Sequence, residues 1–244
     1  MLKSLTMKQV PVTKTQFGIS SRSAGMFHHQ PSFIYLAGCD GTGKTTQAEI
    51  LLAELKARKV KASHLWLRFP FFFCLPLLAY ARWRGSSWYE DTGESRHGYW
   101  DFRGSWLLRV VFPWLLLLDA ALFTIAKVYL PLYLGKTIVC ERFVLDTLVD
   151  LSLAMDDLGF PGRHPGKLYP ALLPGRATIA ILDLDVRTIR RRRPDLLGDK
   201  RLEARLEAYR QLAAGGGYPV FSTKKTPPEV NQCLWELIEK NGPA

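Results

Sequence analysis

One run of residues carries the clearest chemistry in this chain: Gly38-Cys39-Asp40-Gly41-Thr42-Gly43-Lys44-Thr45. It fits G-x-x-x-x-G-K-[ST] in full, with the apolar Phe33–Ala37 before it and an amphipathic stretch after it. Glycines let a backbone curl until successive N–H groups point inward, and a following helix adds the positive end of its dipole. Such a loop cradles the phosphates of a nucleoside triphosphate. Gly38, Asp40, Gly41, Thr42, Gly43, Lys44, Thr45 and Thr46 are therefore the expected ATP-binding residues. Lys44 would reach the β- and γ-phosphates, and the Thr45 hydroxyl would face Mg²⁺.

Other candidates lie further along. Glu141 ends the apolar run Thr137–Cys140. A carboxylate there can hold Mg²⁺ with Thr45 or take a proton from an acceptor hydroxyl; a structural ion pair is the plainer reading. Arg142 beside it, and Arg68, can grip an acceptor phosphate bidentately. Arg187, Arg190, Arg191, Arg192 and Arg193 form the densest cluster of charge. At helical spacing 187, 190 and 191 share one face, which makes Arg190 and Arg191 the candidates for neutralising a phosphoryl transition state. A solvated basic face is the alternative. Asp119 is an acid in an apolar helix and needs a partner, which could be an acceptor. Asp183 sits at a strand end, where ligands of open α/β sheets collect, or caps a helix.

The elements that must position these groups alternate. Apolar runs at Phe33–Ala37, Ala62–Arg68, Thr137–Cys140, Ala177–Leu184 and Tyr218–Ser222 read as strands. Helical patterns cover Lys44–Ala57, 144–158, Val186–Arg193, Lys200–Ala213 and Pro228–Lys240. Strand–helix alternation argues for an α/β fold with a parallel sheet and helices on both faces. With the phosphate loop, it describes a P-loop NTPase three-layer sandwich. A single kinase domain over 31–244 is expected, with an enlarged helical acceptor and lid region. Residues 71–118 form an aromatic-rich insertion, and Val110–Leu134 holds only Asp119 and Lys127 as charges. That length would reach across a bilayer, but charges inside make spanning costly. An enlarged helical core, a dimer contact and a peripheral membrane contact through 71–118 are all open readings.

Composition sets the frame. A net charge of +11 over 244 residues favours anionic partners. No nucleic-acid-binding module is recognisable, so no specific nucleic-acid partner is expected. Cys39, Cys74, Cys140 and Cys233 form no CxxC pair, which argues against a disulfide framework or zinc site and for a cytoplasmic protein, with membrane association open. No acid precedes Asp40, and residues 1–30 read as a disordered basic tail.

The segment Asp40-Gly41-Thr42-Gly43-Lys44-Thr45-Thr46-Gln47 resembles the phosphate loop of the thymidylate kinase family. Further landmarks follow in the family's order: Arg68-Phe69-Pro70, Asp119, Gly135, Glu141-Arg142-Phe143, Leu182-Asp183 with the arginine helix, and Phe221-Ser222-Thr223. The resemblance implies transfer of the γ-phosphoryl group of ATP, with Mg²⁺, to a nucleoside monophosphate such as dTMP. It implies Lys44, Glu141, Arg142, Arg190 and Arg191 as catalytic residues and Arg68, Asp119 and Arg142 as acceptor contacts. Because the phosphate loop holds no Arg, the resemblance is to the bacterial type, in which the lid supplies the cation. The acceptor side departs from the family: Ala120 follows Asp119 where an Arg is usual, and Val149-Asp150-Leu151 replaces Ala-Tyr-Gln. Glu141-Arg142 also resembles an element of deoxynucleoside kinases. A nucleoside or other small-molecule kinase, and an ATP-binding regulatory protein at a membrane, therefore remain as alternatives.

Overall fold

The computed structural model describes residues 32–68, 72–91 and 96–241. The expected basic tail, and Phe69, Pro70 and Phe71, lie outside the described residues. The chain is α/β. Five strands, β1 (Phe33–Gly38), β2 (Ala62–Trp66), β5 (Thr137–Glu141), β6 (Ala177–Asp183) and β7 (Val220–Ser222), form one sheet in the order β2-β5-β1-β6-β7. Every pairing in it is parallel.

Alternation along β1 shows why helices cover both faces. Phe33, Tyr35 and Ala37 point to one side, Ile34 and Leu36 to the other, and all are buried. On the second side, Ile34, Leu36, Val139, Ala180 and Leu182 pack against α1 (Lys44–Ala57) and α7 (Pro227–Asn241) through Leu51, Leu55, Leu234 and Trp235. On the first side lie α3 (Leu107–Tyr133), α4 (Val144–Met155) and α6 (Leu202–Gly216). A parallel strand buried on both faces reads as a near-continuous apolar run, as Phe33–Ala37 of β1 and Ile138–Cys140 of β5 do in sequence.

Helix α3 contains two π-helical stretches, Leu107–Val111 and Ile125–Tyr129. Each lies just before a proline, Pro113 or Pro131. Proline offers no N–H, and its ring crowds the carbonyl four residues back. A widened turn relieves that crowding: Phe112 N–H donates to Leu107 O, and Leu130 N–H to Ile125 O. The long apolar run thus continues as one helix through both prolines.

Part of the insertion differs from the helical region expected. Helix α2 (Leu75–Trp83) leads into an antiparallel hairpin of β3 (Ser87–Asp91) and β4 (Arg96–Trp100). The hairpin docks on the segment between the arginine helix α5 (Val186–Arg192) and α6. Tyr99 Oη donates to Asp199 Oδ1 at 3.1 Å, and the Arg201 guanidinium lies 5.6 Å from the Trp88 ring and 5.3 Å from that of Tyr99. Arg201 also donates to the carbonyl of Trp100 at 2.9 Å, and the imidazole of His97 is 2.8 Å from the carbonyl of Asp195.

Candidate active site

The site is built where β1 ends. Gly38 has φ +141°, and a Cβ there would lie 2.4 Å from the carbonyl oxygen of Leu182 on β6. Only glycine lets the chain leave the sheet so close to its neighbour. The loop then curls. Thr42 N–H and Thr42 Oγ1 donate to the carbonyl of Cys39 at 3.3 and 2.7 Å. Gly41, at φ +83°, packs under Ile189 and Arg193 of the arginine segment, where a Cβ would lie 3.0 Å from the isoleucine methyl. Helix α1 starts at Lys44 with no side-chain cap, and its first backbone bond is Gln47 N–H to Gly43 O. The amides of the first turn lack intrahelical acceptors, which makes this end an anion-binding geometry.

Lys44 is buried and reaches back along the loop, donating to the carbonyls of Gly38 at 2.7 Å and Cys39 at 2.8 Å. Burial pushes its ammonium pKa down; Asp40, 3.8 Å away, opposes that shift. Asp40 also pairs closely with Arg142, which follows β5. Burial alone would raise the Asp40 carboxyl, but Arg142 and Lys44 outweigh it and hold the pKa below the ordinary range. Arg142 takes φ +61°, which turns its guanidinium toward the loop. Under it, Asp146 accepts from the Phe143 amide at 2.9 Å and from Tyr209 Oη at 2.5 Å, and it also binds Tyr35 Oη. This buried network fixes the β5–α4 turn that carries Glu141 and Arg142.

Glu141 is buried at the C-terminal end of β5. Its Oε2 accepts from Thr45 Oγ1 at 2.7 Å, and its Oε1 is 2.7 Å from His64 Nε2 on β2. A hydroxyl and a carboxylate, both hard oxygen donors, thus meet at the mouth of the loop. Magnesium takes one or two such protein ligands and fills its octahedron with water and phosphate oxygens, so Thr45 and Glu141 fit it. His64 was not picked out in the sequence, because the imidazole reaches Glu141 only across adjacent strands.

A cleft of about 660 Å³ opens over these groups. Its walls include residues 40–47, Trp66, Glu141, Arg142, Arg192, Arg193 and Thr223. The arginine segment enters it by a different pair than helical spacing suggested. Helix α5 ends at Arg192, and Arg193 leaves helical geometry at φ −133°. That break sends Arg193 to the cleft, where Arg192, the last residue of the helix, also stands and donates to the carbonyl of Thr223 at 2.9 Å. Arg190 and Arg191 line a separate shallow depression with Arg187 and Leu197, and Arg190 lies 3.6 Å from Glu203.

The expected acceptor residues part company. Asp119 is buried away from the cleft, and its carboxylate accepts from the amides of Phe73 at 2.9 Å and Cys74 at 3.4 Å. It caps the approach to α2, so its partner is backbone. Arg68 is exposed beyond β2. With Arg205 and Arg142 it acts on the exposed carboxyl of Asp150. Arg205 is itself mostly buried and paired with Asp199 at 2.7 Å. Asp183, the other strand-end acid, pairs with Arg210 at 3.1 Å.

Compared with known proteins, the chain matches no protein-family model and no curated protein.

Proposed function

We propose that this protein is a P-loop nucleotide kinase similar to thymidylate kinase, built as a three-layer sandwich of the P-loop NTPase kind. It would transfer the γ-phosphoryl group of ATP to a nucleoside monophosphate, dTMP or a related acceptor. The observation that carries this reading is the meeting of Thr45 and Glu141 beside the curled, uncapped loop at 38–46. Loop and helix amides would hold the triphosphate, and Lys44 would swing from its backbone carbonyls to the β- and γ-phosphate oxygens. Magnesium, held by Thr45 and Glu141, would supply charge neutralisation between those phosphates. Glu141 is kept ready by His64, and Arg142 by Asp40 and the buried Asp146 network. Arg192 and Arg193, facing the loop, are placed to meet charge that develops on the transferred group, a role assigned in the sequence to Arg190 and Arg191.

A second acceptor class has one observation behind it. Asp150 is an exposed carboxylate under the influence of Arg205, Arg68 and Arg142, which suits an acceptor that offers a hydroxyl as well as one that offers a phosphate. A panel of nucleosides and nucleoside monophosphates, incubated with the purified protein, ATP and Mg²⁺ and read by mass spectrometry, separates the two. A nucleoside diphosphate product supports the leading reading. Phosphorylated nucleoside supports the second, and ATP consumption with neither product refutes both.

A further inference from the structure

Strand β2 is an edge of the sheet, and its register brings an imidazole to the pair Thr45 and Glu141. Trp66 is the partner of Glu141 across the β2–β5 pairing, and His64 stands two residues before Trp66. Side chains two apart on a strand leave the same face. His64 therefore projects on the side that Glu141 takes and reaches forward to it, with Nε2 2.7 Å from Glu141 Oε1. Thr45 Oγ1 is 2.7 Å from the other oxygen, Oε2. A hydroxyl flanks one oxygen of the carboxylate and an imidazole flanks the other. The Glu141 side chain is only 3% exposed, whereas that of His64 is 42% exposed, so the ring can turn without disturbing the core.

These spacings suit ligands as well as hydrogen bonds. Groups about 2.1 Å from an octahedral ion stand about 3.0 Å from one another. The contacts around Glu141 already bring nitrogen, carboxylate and hydroxyl near that spacing. Which ion uses the nitrogen is a matter of preference. Magnesium takes oxygen and keeps its water, so with Mg²⁺ the imidazole stays in its hydrogen bond. First-row transition ions accept imidazole beside carboxylate. One nitrogen among oxygens of hydroxyl, carboxylate and phosphate suits a six-coordinate ion, Mn²⁺ before Zn²⁺, whose protein sites are mostly tetrahedral. Among the described residues no three His, Cys, Asp or Glu side chains gather to hold an ion. Phosphate oxygens of a nucleotide, and water, must supply the other ligands, so ion and nucleotide should bind together.

We infer that His64 Nε2 becomes a third protein ligand when this site holds a first-row transition ion, and that the site therefore favours Mn²⁺ over Mg²⁺. Thr45, Glu141 and the nucleotide are those of the proposed function, on which this assignment rests.

Electron paramagnetic resonance of Mn²⁺ with the full-length protein and ADP tests it without turnover. The parent protein is expected to bind Mn²⁺ far more tightly when ADP is present, with a directly bound nitrogen in the spin-echo modulation. Labelling histidine with ¹⁵N should change that modulation, which separates imidazole from the adenine ring. His64→Gln should abolish it and weaken Mn²⁺ binding about tenfold, while Mg²⁺ affinity, read by competition, falls less. The labelling arm uses the unaltered protein, so it decides even where His64→Gln misfolds. Mn²⁺ bound with ADP but without a histidine nitrogen, or equal losses of Mn²⁺ and Mg²⁺ affinity in His64→Gln, would overturn the inference and leave the kinase reading standing. A protein that binds no ADP would overturn both.

Discussion

Thr45 and Glu141 lie far apart in the chain, yet the threonine hydroxyl donates to the glutamate carboxylate at 2.7 Å. Parallel pairing of β1 with β5 causes the meeting, since it brings the C-terminal ends of both strands to one edge of the sheet. If the pair holds Mg²⁺, Glu141→Gln should raise the Mg²⁺ concentration for half-maximal turnover about tenfold. His64→Gln should raise it less, because it loosens the carboxylate without removing a ligand. A magnesium titration of initial rate checks both, and an unchanged midpoint in Glu141→Gln would remove the metal role.

Lys44→Met keeps the aliphatic stem in its buried slot and removes the ammonium. Phosphoryl transfer should fall by about 10²–10³-fold. Far-ultraviolet circular dichroism should not change. Parent-like turnover in this variant would falsify the assignment.

The arginine segment gives a comparative test. Arg193→Ala should lower kcat by about 10²-fold or more, while Arg191→Ala, which faces the outer depression, should leave kcat near the parent value. The reverse order would restore the assignment made from helical spacing. Steady-state kinetics with saturating ATP and acceptor decide between them.

Asp199 ties stability to pH. Burial alone would raise its carboxyl, but Arg205, the Arg201 amide and Tyr99 together hold the pKa below the ordinary value. A folded-state pKa below the unfolded one gives stability that is present above about pH 4 and is lost as pH falls through the lower folded value. Asp199→Asn should therefore flatten the acid limb of the stability curve. By leaving Arg205 buried without its carboxylate, it should also cost about 3 kcal/mol at neutral pH. Urea denaturation at pH 7 and near pH 3 measures both effects.

Much of the core was legible because its signals are local. Phe33–Ala37 is an uninterrupted apolar run, and the glycines and lysine after it specify one backbone shape, so β1, the loop and the start of α1 fall where the sequence puts them. The hairpin was not legible. Its strands carry Glu90, Asp91 and Arg96 among the aromatics, and the docking that buries Tyr99 comes from residues a hundred positions away. Arg193 was missed for a related reason. Periodicity assigns faces only while a helix lasts, and α5 stops before Arg193. His64, and the Asp146 network with Tyr35 and Tyr209, depend on contacts between distant segments that no single stretch of sequence records. Asp119 was noticed as an acid out of place; that its partners are the amides of residues 73 and 74 is a fact of three-dimensional packing.

The clasp of the hairpin on residues 195–201 has a mechanical consequence. Arg193 is only a few residues from positions anchored by His97, Tyr99 and Trp100, so the cations over the cleft hang on a short tether. If the cleft takes a nucleotide as proposed, the motion that admits and releases it would carry the hairpin along as a stiff lever instead of flexing a loose flap. A substitution at Trp88, far from any phosphate, would then be felt as slower turnover.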